Sequence, residues 1–162
     1  MIPARLLVSG LFQSPCMPPL SQILIADDDA SQIILLKLAI DRANLPAKSF
    51  EFFSNGAELK NHLEKLAMFN RRPDLLVVDL NMPLMDGFEV IEWVRLQRAF
   101  ASLPIIVMSS TTESGDRERA KQLGSDRFLN KTADIHELIQ LLTSFYYGGV
   151  SPHLADPGRL HK

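Results

Sequence analysis

Three apolar runs in this chain do not alternate with polar residues: "ILIA" at 23–26, "LLVV" at 75–78 and "IIVM" at 105–108. A strand with one wet face alternates, so such runs need a sheet covered on both faces, as parallel sheets are. They lie within the longer segments "QILIA" (22–26), "DLLVVD" (74–79) and "PIIVMSS" (104–110). With the β-rich runs "KSFEFFS" (48–54) and "DRFLNK" (126–131), the expected count is five strands.

Between the strands, apolar residues recur at helical spacing. The sets are Ile33, Leu36, Ile40 and Ala43; Leu59, Leu63 and Leu66; Val90, Ile91 and Val94; and Ile135, Leu138, Ile139 and Leu142. Each stripe can bury one face on the sheet. A weaker helix over 113–123, "ESGDRERAKQL", is polar on most sides and covers little core, which makes it a natural movable or docking surface. Alternating β and α units with short connections require right-handed crossovers and helices on both faces, hence a doubly wound α/β fold.

The 162 residues fit one domain. The expected organisation is a flexible extension over 1–20, ending in "CMPPLS" with Met17 as an alternative start, a folded domain over 21–147, and a flexible tail over 148–162. A net charge of -2 gives no general attraction to nucleic acid or to an anionic membrane. Arg71 with Arg72, and Arg117 with Arg119 and Lys121, read as solvated faces, because no aromatic residues interleave them. The lone Cys16 has no disulfide partner, and His62, His136, His153 and His161 offer no zinc spacing, which suits a reducing cytoplasm. "LLVSGLF" near the start is too short for a signal peptide, and no segment is long enough to span a bilayer.

In an open parallel sheet, ligands bind beyond the carboxyl ends of the strands. There the first strand delivers Asp27, Asp28 and Asp29, the third Asp79 with Asn81, the fourth Ser109 and Ser110, and the fifth Lys131. Asp29 reads with Ser31 as the cap of the first helix and stays out of the site. A single strand-end aspartate is more often a turn former than a nucleophile, but the convergence of the others weakens that reading. Clustered acids repel unless a cation neutralises them. Magnesium does so with a few carboxylate or carbonyl oxygens while leaving room for phosphate. Asp79 can then attack phosphorus to form an aspartyl-phosphate, with Lys131, Ser109 and the metal each taking one equatorial oxygen. A calcium-loop reading of "DLNMPLMDG" fails, since Pro83 stands where an acid or amide is needed; Pro83 and Gly87 read instead as backbone devices of the loop.

The pieces "ILIADDD", "LLVVDLNMPLMDG", "PIIVMSS" and "FLNK", in this order, resemble the receiver domain of bacterial response regulators over residues 21–145. The stretch "LKLAIDRANLPAKSFEFFSNGAELKNHLEKL" and the ending "LLTSFYYG" further resemble a single-domain subgroup, the phytochrome-associated regulators. The resemblance implies a flavodoxin-like sheet of five parallel strands in order 2-1-3-4-5, the order of flavodoxin and of this family's chemotaxis regulator. It implies that Asp79 is the phosphoacceptor and that Lys131 and Ser109 assist it. It further implies that Mg2+ or Mn2+ is held by Asp79, by Asp28 directly, by the Asn81 backbone carbonyl, and by Asp27 through water.

By the same resemblance, Ser109 and Phe128 form a switch. The hydroxyl moves toward the phosphoryl group and the ring turns inward, reshaping the face of the fourth helix, fifth strand and fifth helix; Phe128 as ordinary core stays open beside this. Ser110, Thr111 and Thr112 have, by residue type, the plainer alternative reading of caps for the fourth helix, while by the resemblance the counterpart of Thr111 lies near the path of the water that dephosphorylates. Trp93 reads as a partly buried helix residue. Phe145, Tyr146 and Tyr147 read either as core or as a homodimer contact.

The implied function is that of a single-domain response regulator in a two-component phosphorelay, catalysing only its own phosphorylation and dephosphorylation. Its partners would be a sensor histidine kinase, of phytochrome type by the narrower resemblance, or a histidine phosphotransfer protein, and a downstream protein target. One rival is a haloacid dehalogenase-like phosphatase, which would want an acid two residues after the nucleophile, where Asn81 stands. The other is a pseudo-receiver, an interaction module that is not phosphorylated. Only Thr132 speaks for it: the family has proline there, commonly after a cis bond. A cis bond before a non-proline residue costs about 2.5–4 kcal/mol, so this one is expected to be trans.

Overall fold

A computed structural model describes residues 22–46, 50–111, 113–131 and 135–148. The elements are β1 (Ile23–Ala26), α1 (Ala30–Arg42), β2 (Phe50–Phe53), α2 (Gly56–Met68), β3 (Leu75–Asp79), α3 (Gly87–Leu96), β4 (Ile105–Ser109), α4 (Ser114–Leu123), β5 (Arg127–Asn130) and α5 (Ile135–Gly148), with a 3-10 turn at Arg98–Phe100. The five strands form one sheet in the order β2-β1-β3-β4-β5, and every neighbouring pair is parallel. The expected α/β fold, strand count and strand order are all present. Gly148, expected in the tail, closes α5; residues 1–21, 149–162, Thr112 and Thr132 lie outside the described residues.

Non-alternating strands carry two cores because successive side chains leave opposite faces. Leu24, Ala26, Leu76, Val78, Ile105 and Val107 face one way, against Leu59, Leu63 and Leu66 of α2 and Val90, Ile91 and Val94 of α3. Ile23, Ile25, Leu75, Val77, Ile106 and Met108 face the other, against Leu36 and Ile40 of α1 and Leu138 and Leu142 of α5. Trp93 is half-buried against the first core and Tyr146 against the second.

Three helix starts are capped by their own side chains, which satisfies N–H groups that the helix cannot. Asp29 accepts from the backbone N–H of Ser31 at 2.8 Å, as expected, Asn55 from Glu58 at 2.8 Å, and Asp86 closes a capping box with Glu89. α4 differs. Its N-cap is Glu113, which makes no side-chain capping bond, so the expected cap by Ser110 and Thr111 is not formed. Thr111 instead accepts the N–H of Glu113 at 3.1 Å, one residue before the first N–H of the helix. Ala120 is the buried residue of this helix.

Arg95 on α3 anchors the far end of α4. Its guanidinium donates to the Gly124 carbonyl at 3.0 and 2.7 Å, to the Leu103 carbonyl at 2.7 Å and to Asp126 at 3.3 Å. Lysine keeps the charge but lacks the planar fork. Arg95→Lys is therefore expected to lower stability by about 1–2 kcal/mol, read from the urea midpoint at unchanged slope.

Candidate functional site

Parallel strands in close register end together. Ala26 pairs with Val78, Asp79 with Met108, and Ser109 with Asn130, so the residues at and just past these ends share one edge. Among the described residues the buried polar side chains are Asp27, Asn55, Asp79, Ser109 and Lys131, and all stand at or just past strand ends on this edge, Asn55 as the cap of α2. Burying charge costs several kcal/mol unless it is paired, so a cluster this dry is a built site rather than a solvated rim.

Lys131 organises it. Its Nζ lies 2.7 Å from Asp27 Oδ2 and 2.8 Å from Asp79 Oδ2, and its backbone N–H donates to the Ser109 carbonyl at 3.0 Å. Asp27 Oδ1 accepts the backbone N–H of Asp29 at 2.9 Å, so both Asp27 oxygens are engaged. Asp79 Oδ1 is buried and has no hydrogen-bond partner among the described residues. One carboxylate oxygen of this core is thus left for chemistry. In the sequence Lys131 points to an incoming phosphoryl group, and its bridge to Asp27 leaves no trace there, because a lysine's reach across two strand ends has no local sequence signal.

Two acids sharing one ammonium leave the buried core net negative. Burial pushes the Asp79 carboxyl above its usual range; Lys131 and the Asn81 backbone N–H oppose this, and the charge of Asp27 reinforces it. For Lys131, burial works against the charged form, but the hydrogen bonds it donates to Asp27 and Asp79, together with their charge, outweigh it and raise the ammonium. Asp28 is exposed, and one oxygen from each of Asp27, Asp28 and Asp79 falls within 4.8 Å of the others. The unpartnered Asp79 oxygen, the excess negative charge and the hard oxygen donors all fit a divalent cation such as magnesium or manganese. Asn81, whose backbone carbonyl is the expected ligand, is exposed two residues past Asp79.

The remaining expected residues take their places around this core. Ser109 is fully buried, and its hydroxyl oxygen accepts the Thr111 N–H at 3.3 Å, which leaves the hydroxyl proton free to donate. Phe128 lies opposite Val107 on β4 and packs, half-buried, against the core shared by α2, α3 and α4. Loop 80–86 is shaped by close backbone approaches. The Met85 N–H donates to the Pro83 carbonyl at 2.8 Å and that of Gly87 to the Leu80 carbonyl at 3.0 Å. Leu84 between them has a φ of 68° and is 85% exposed. A left-handed leucine is costly and its sequence gives no warning of it.

A family model, "Response regulator receiver domain", matches residues 23–143. The transcriptional regulatory protein GltR of Pseudomonas aeruginosa is 30% identical over 72% of this chain and 45% of its own length. The polar-differentiation response regulator DivK of Brucella anthropi is 25% identical over 78% of this chain and 96% of its own. This chain therefore spans less than half the length of the first relative and nearly all of the second. Among solved structures, the phosphorylated cyanobacterial phytochrome response regulator RcpA shares the fold, with a TM-score of 0.69, 23% identity, and coverage of 81% of this chain and 96% of that one.

Proposed function

The chain belongs to the response regulator receiver domain family, and on that footing we propose that Asp79 is its phosphoacceptor, charged by a histidine kinase or a histidine phosphotransfer protein. The observation that carries this reading is the Asp79 Oδ1 atom, buried and without a partner beside a lysine-clamped second oxygen. Lys131 fixes the carboxylate through Oδ2, and Oδ1 is the nucleophile. A bond forms between Oδ1 and phosphorus as the bond from phosphorus to the donor's imidazole nitrogen breaks. Lys131 then draws on one phosphoryl oxygen, and the Ser109 hydroxyl donates to another. Magnesium or manganese would be held by Asp79, Asp28 and the Asn81 carbonyl, with Asp27 acting through a water, and would supply positive charge for the acids and the phosphoryl oxygens alike. Thr111, at the mouth of the site, sets access for the water that ends the signal.

Ser109 and Phe128 convert the phosphoryl group into a change of the α4-β5-α5 face. The group favours one of two existing conformations by as much as it binds that one better. The output is docking to a protein target in the cytoplasm or transfer of the phosphate onward by a domain spanning 21–147. A phytochrome-type kinase as donor rests on the segments that resemble that subgroup, and Tyr146, partly buried against the second core, favours the core reading at that position over a homodimer contact, while the side chains of Phe145 and Tyr147 lie outside those described. The alternative is a pseudo-receiver, for which Thr132 in place of proline is the reason.

Incubation of the whole chain with acetyl phosphate tests the choice by intact mass. The expected result is one added phosphoryl group that needs Mg2+ or Mn2+, is blocked by EDTA and is released by hydroxylamine, as an acyl phosphate is. No added mass, in parallel with a receiver that is modified, establishes the pseudo-receiver.

A further inference from the structure

The helix that moves in such a switch is held here in an uneven way. At its C-terminal end α4 is clamped: Gly124 takes a φ of 104°, its N–H closes on Lys121, and its carbonyl takes two bonds from Arg95. At the N-terminal end there is no side-chain cap, and the residues that α4 sends to the core, buried Ala120 and partly buried Leu123, lie in its C-terminal half. What else holds that half is a pair of arginines laid over aromatic rings. The guanidinium carbon of Arg117 stands 4.9 Å from the Phe128 ring centroid, and that of Arg119 stands 4.0 Å from the ring of Phe88 on α3. Both separations fall within cation–π range. Arg117 and Arg119 themselves are exposed.

We propose that Arg117 is a positioning residue that holds the Phe128 ring in its resting orientation and so sets how readily the phosphorylated conformation is reached. The inference rests on the reading of Ser109 and Phe128 as the switch. Phe128 lies two positions before Asn130, the β4–β5 partner of Ser109, and on the face that α4 covers. A cavity lined by Arg117, Lys121, Phe128 and Glu137 adjoins the ring, so the contact sits beside open space rather than in a close-packed wall. Turning the ring inward takes it from under the guanidinium. The same move frees the uncapped end of α4 while Arg95 keeps the other end fixed, which makes the helix a lever with its pivot at Gly124. Arg117 thereby opposes the move that phosphorylation favours. An exposed cation–π contact biases such an equilibrium about two- to fivefold.

The test compares the wild-type chain with Arg117→Met, which keeps the stem and loses the charge, and Arg117→Lys, which keeps the charge. One readout is the aromatic NMR signal of Phe128, identified by its loss in Phe128→Leu. The other is the rate of phosphoryl uptake from acetyl phosphate with Mg2+. In the wild type, phosphorylation is expected to shift the Phe128 signal. Without phosphate, Arg117→Met is expected to move it part of the way toward that position and to raise the uptake rate about two- to fivefold. Arg117→Lys is expected to stay close to wild type, and in the Phe128→Leu background Arg117→Met is expected to have no further effect on uptake. A Phe128 signal that phosphorylation does not move in the wild type overturns the switch and the latch together. A signal that does move, with Arg117→Met leaving both its resting position and the uptake rate unchanged, overturns the latch alone.

Discussion

Asp79→Asn is expected to abolish phosphoryl uptake and, at the same time, to make the metal-free protein more stable. The two effects have one cause. Asp79 is 3% exposed, one of its oxygens has no partner, and it shares Lys131 with Asp27. Replacing the carboxylate by an amide of the same shape leaves Lys131 and Asp27 as a neutral pair and removes the excess buried charge. The expected gain is about 1–3 kcal/mol at neutral pH, the size of an uncompensated charge in a dry site.

The pH dependence separates this from a general packing effect. The folded-state pKa of Asp79 is raised above its ordinary value, chiefly by burial. Such a group contributes stability below its unfolded pKa, where it is protonated in both states, and loses that contribution as the pH rises through the higher folded value. Asparagine mimics the protonated form at every pH. The advantage of the variant should therefore be near zero in acid and grow to its full size as the pH climbs past the carboxylate range. Magnesium should reverse the order: at a hundred times its dissociation constant, a ligand of the folded state adds about 2.7 kcal/mol to the wild type, and the variant, lacking the anionic ligand, should gain far less. Denaturation midpoints with and without Mg2+ across pH, alongside intact mass, give all four quantities. A variant less stable than wild type without metal at neutral pH would show that Asp79 is structural.

The legible part of this molecule is what repeats or converges. Non-alternating runs announced a sheet covered on both faces, and the helical stripes at Leu59, Leu63 and Leu66 or Val90, Ile91 and Val94 are buried as their spacing requires. The site was legible because Asp27, Asp79, Ser109 and Lys131 each sit at a strand end, and parallel strands bring such ends together. What stayed hidden depends on distance through space. Arg95 is separated from Gly124 by 29 residues, and in the sequence it is one more arginine on a helix. Arg117 and Arg119 read as solvated, and exposed they are, yet each lies over a ring that the fold supplies from another element. The cap of α4 was misplaced for a different reason: Ser110 and Thr111 are good capping residues by type, but Thr111 spends its hydroxyl oxygen on the N–H of Glu113, and the chain enters the helix after it.

Gly87→Ala is expected to be the most damaging glycine-to-alanine change among the described residues, against the preference of helices for alanine. Gly87 opens α3, where alanine would ordinarily gain about 1 kcal/mol over glycine. A Cβ there would lie 2.2 Å from the Asp79 carbonyl oxygen, 2.8 Å from the Leu80 Cα and 2.9 Å from the Asp79 carbonyl carbon. All three are backbone atoms at the end of a buried strand, so no flexible side chain can yield; α3 or β3 must move instead. Overpacking of this kind costs about 1–3 kcal/mol even where side chains can adjust, and here the propensity gain cannot offset it. A net loss of about 2 kcal/mol or more is expected, read as a lower denaturant midpoint. Because the displaced atoms belong to Asp79 itself, the harm should extend beyond stability. Phosphoryl uptake in the folded fraction should fall, and the stabilisation by Mg2+ should shrink, since the carboxylate and the Asn81 carbonyl hang on the same few atoms. A Gly87→Ala protein with an unchanged midpoint and an unchanged response to Mg2+ would mean that the packing of α3 on the end of β3 does not hold the site in place.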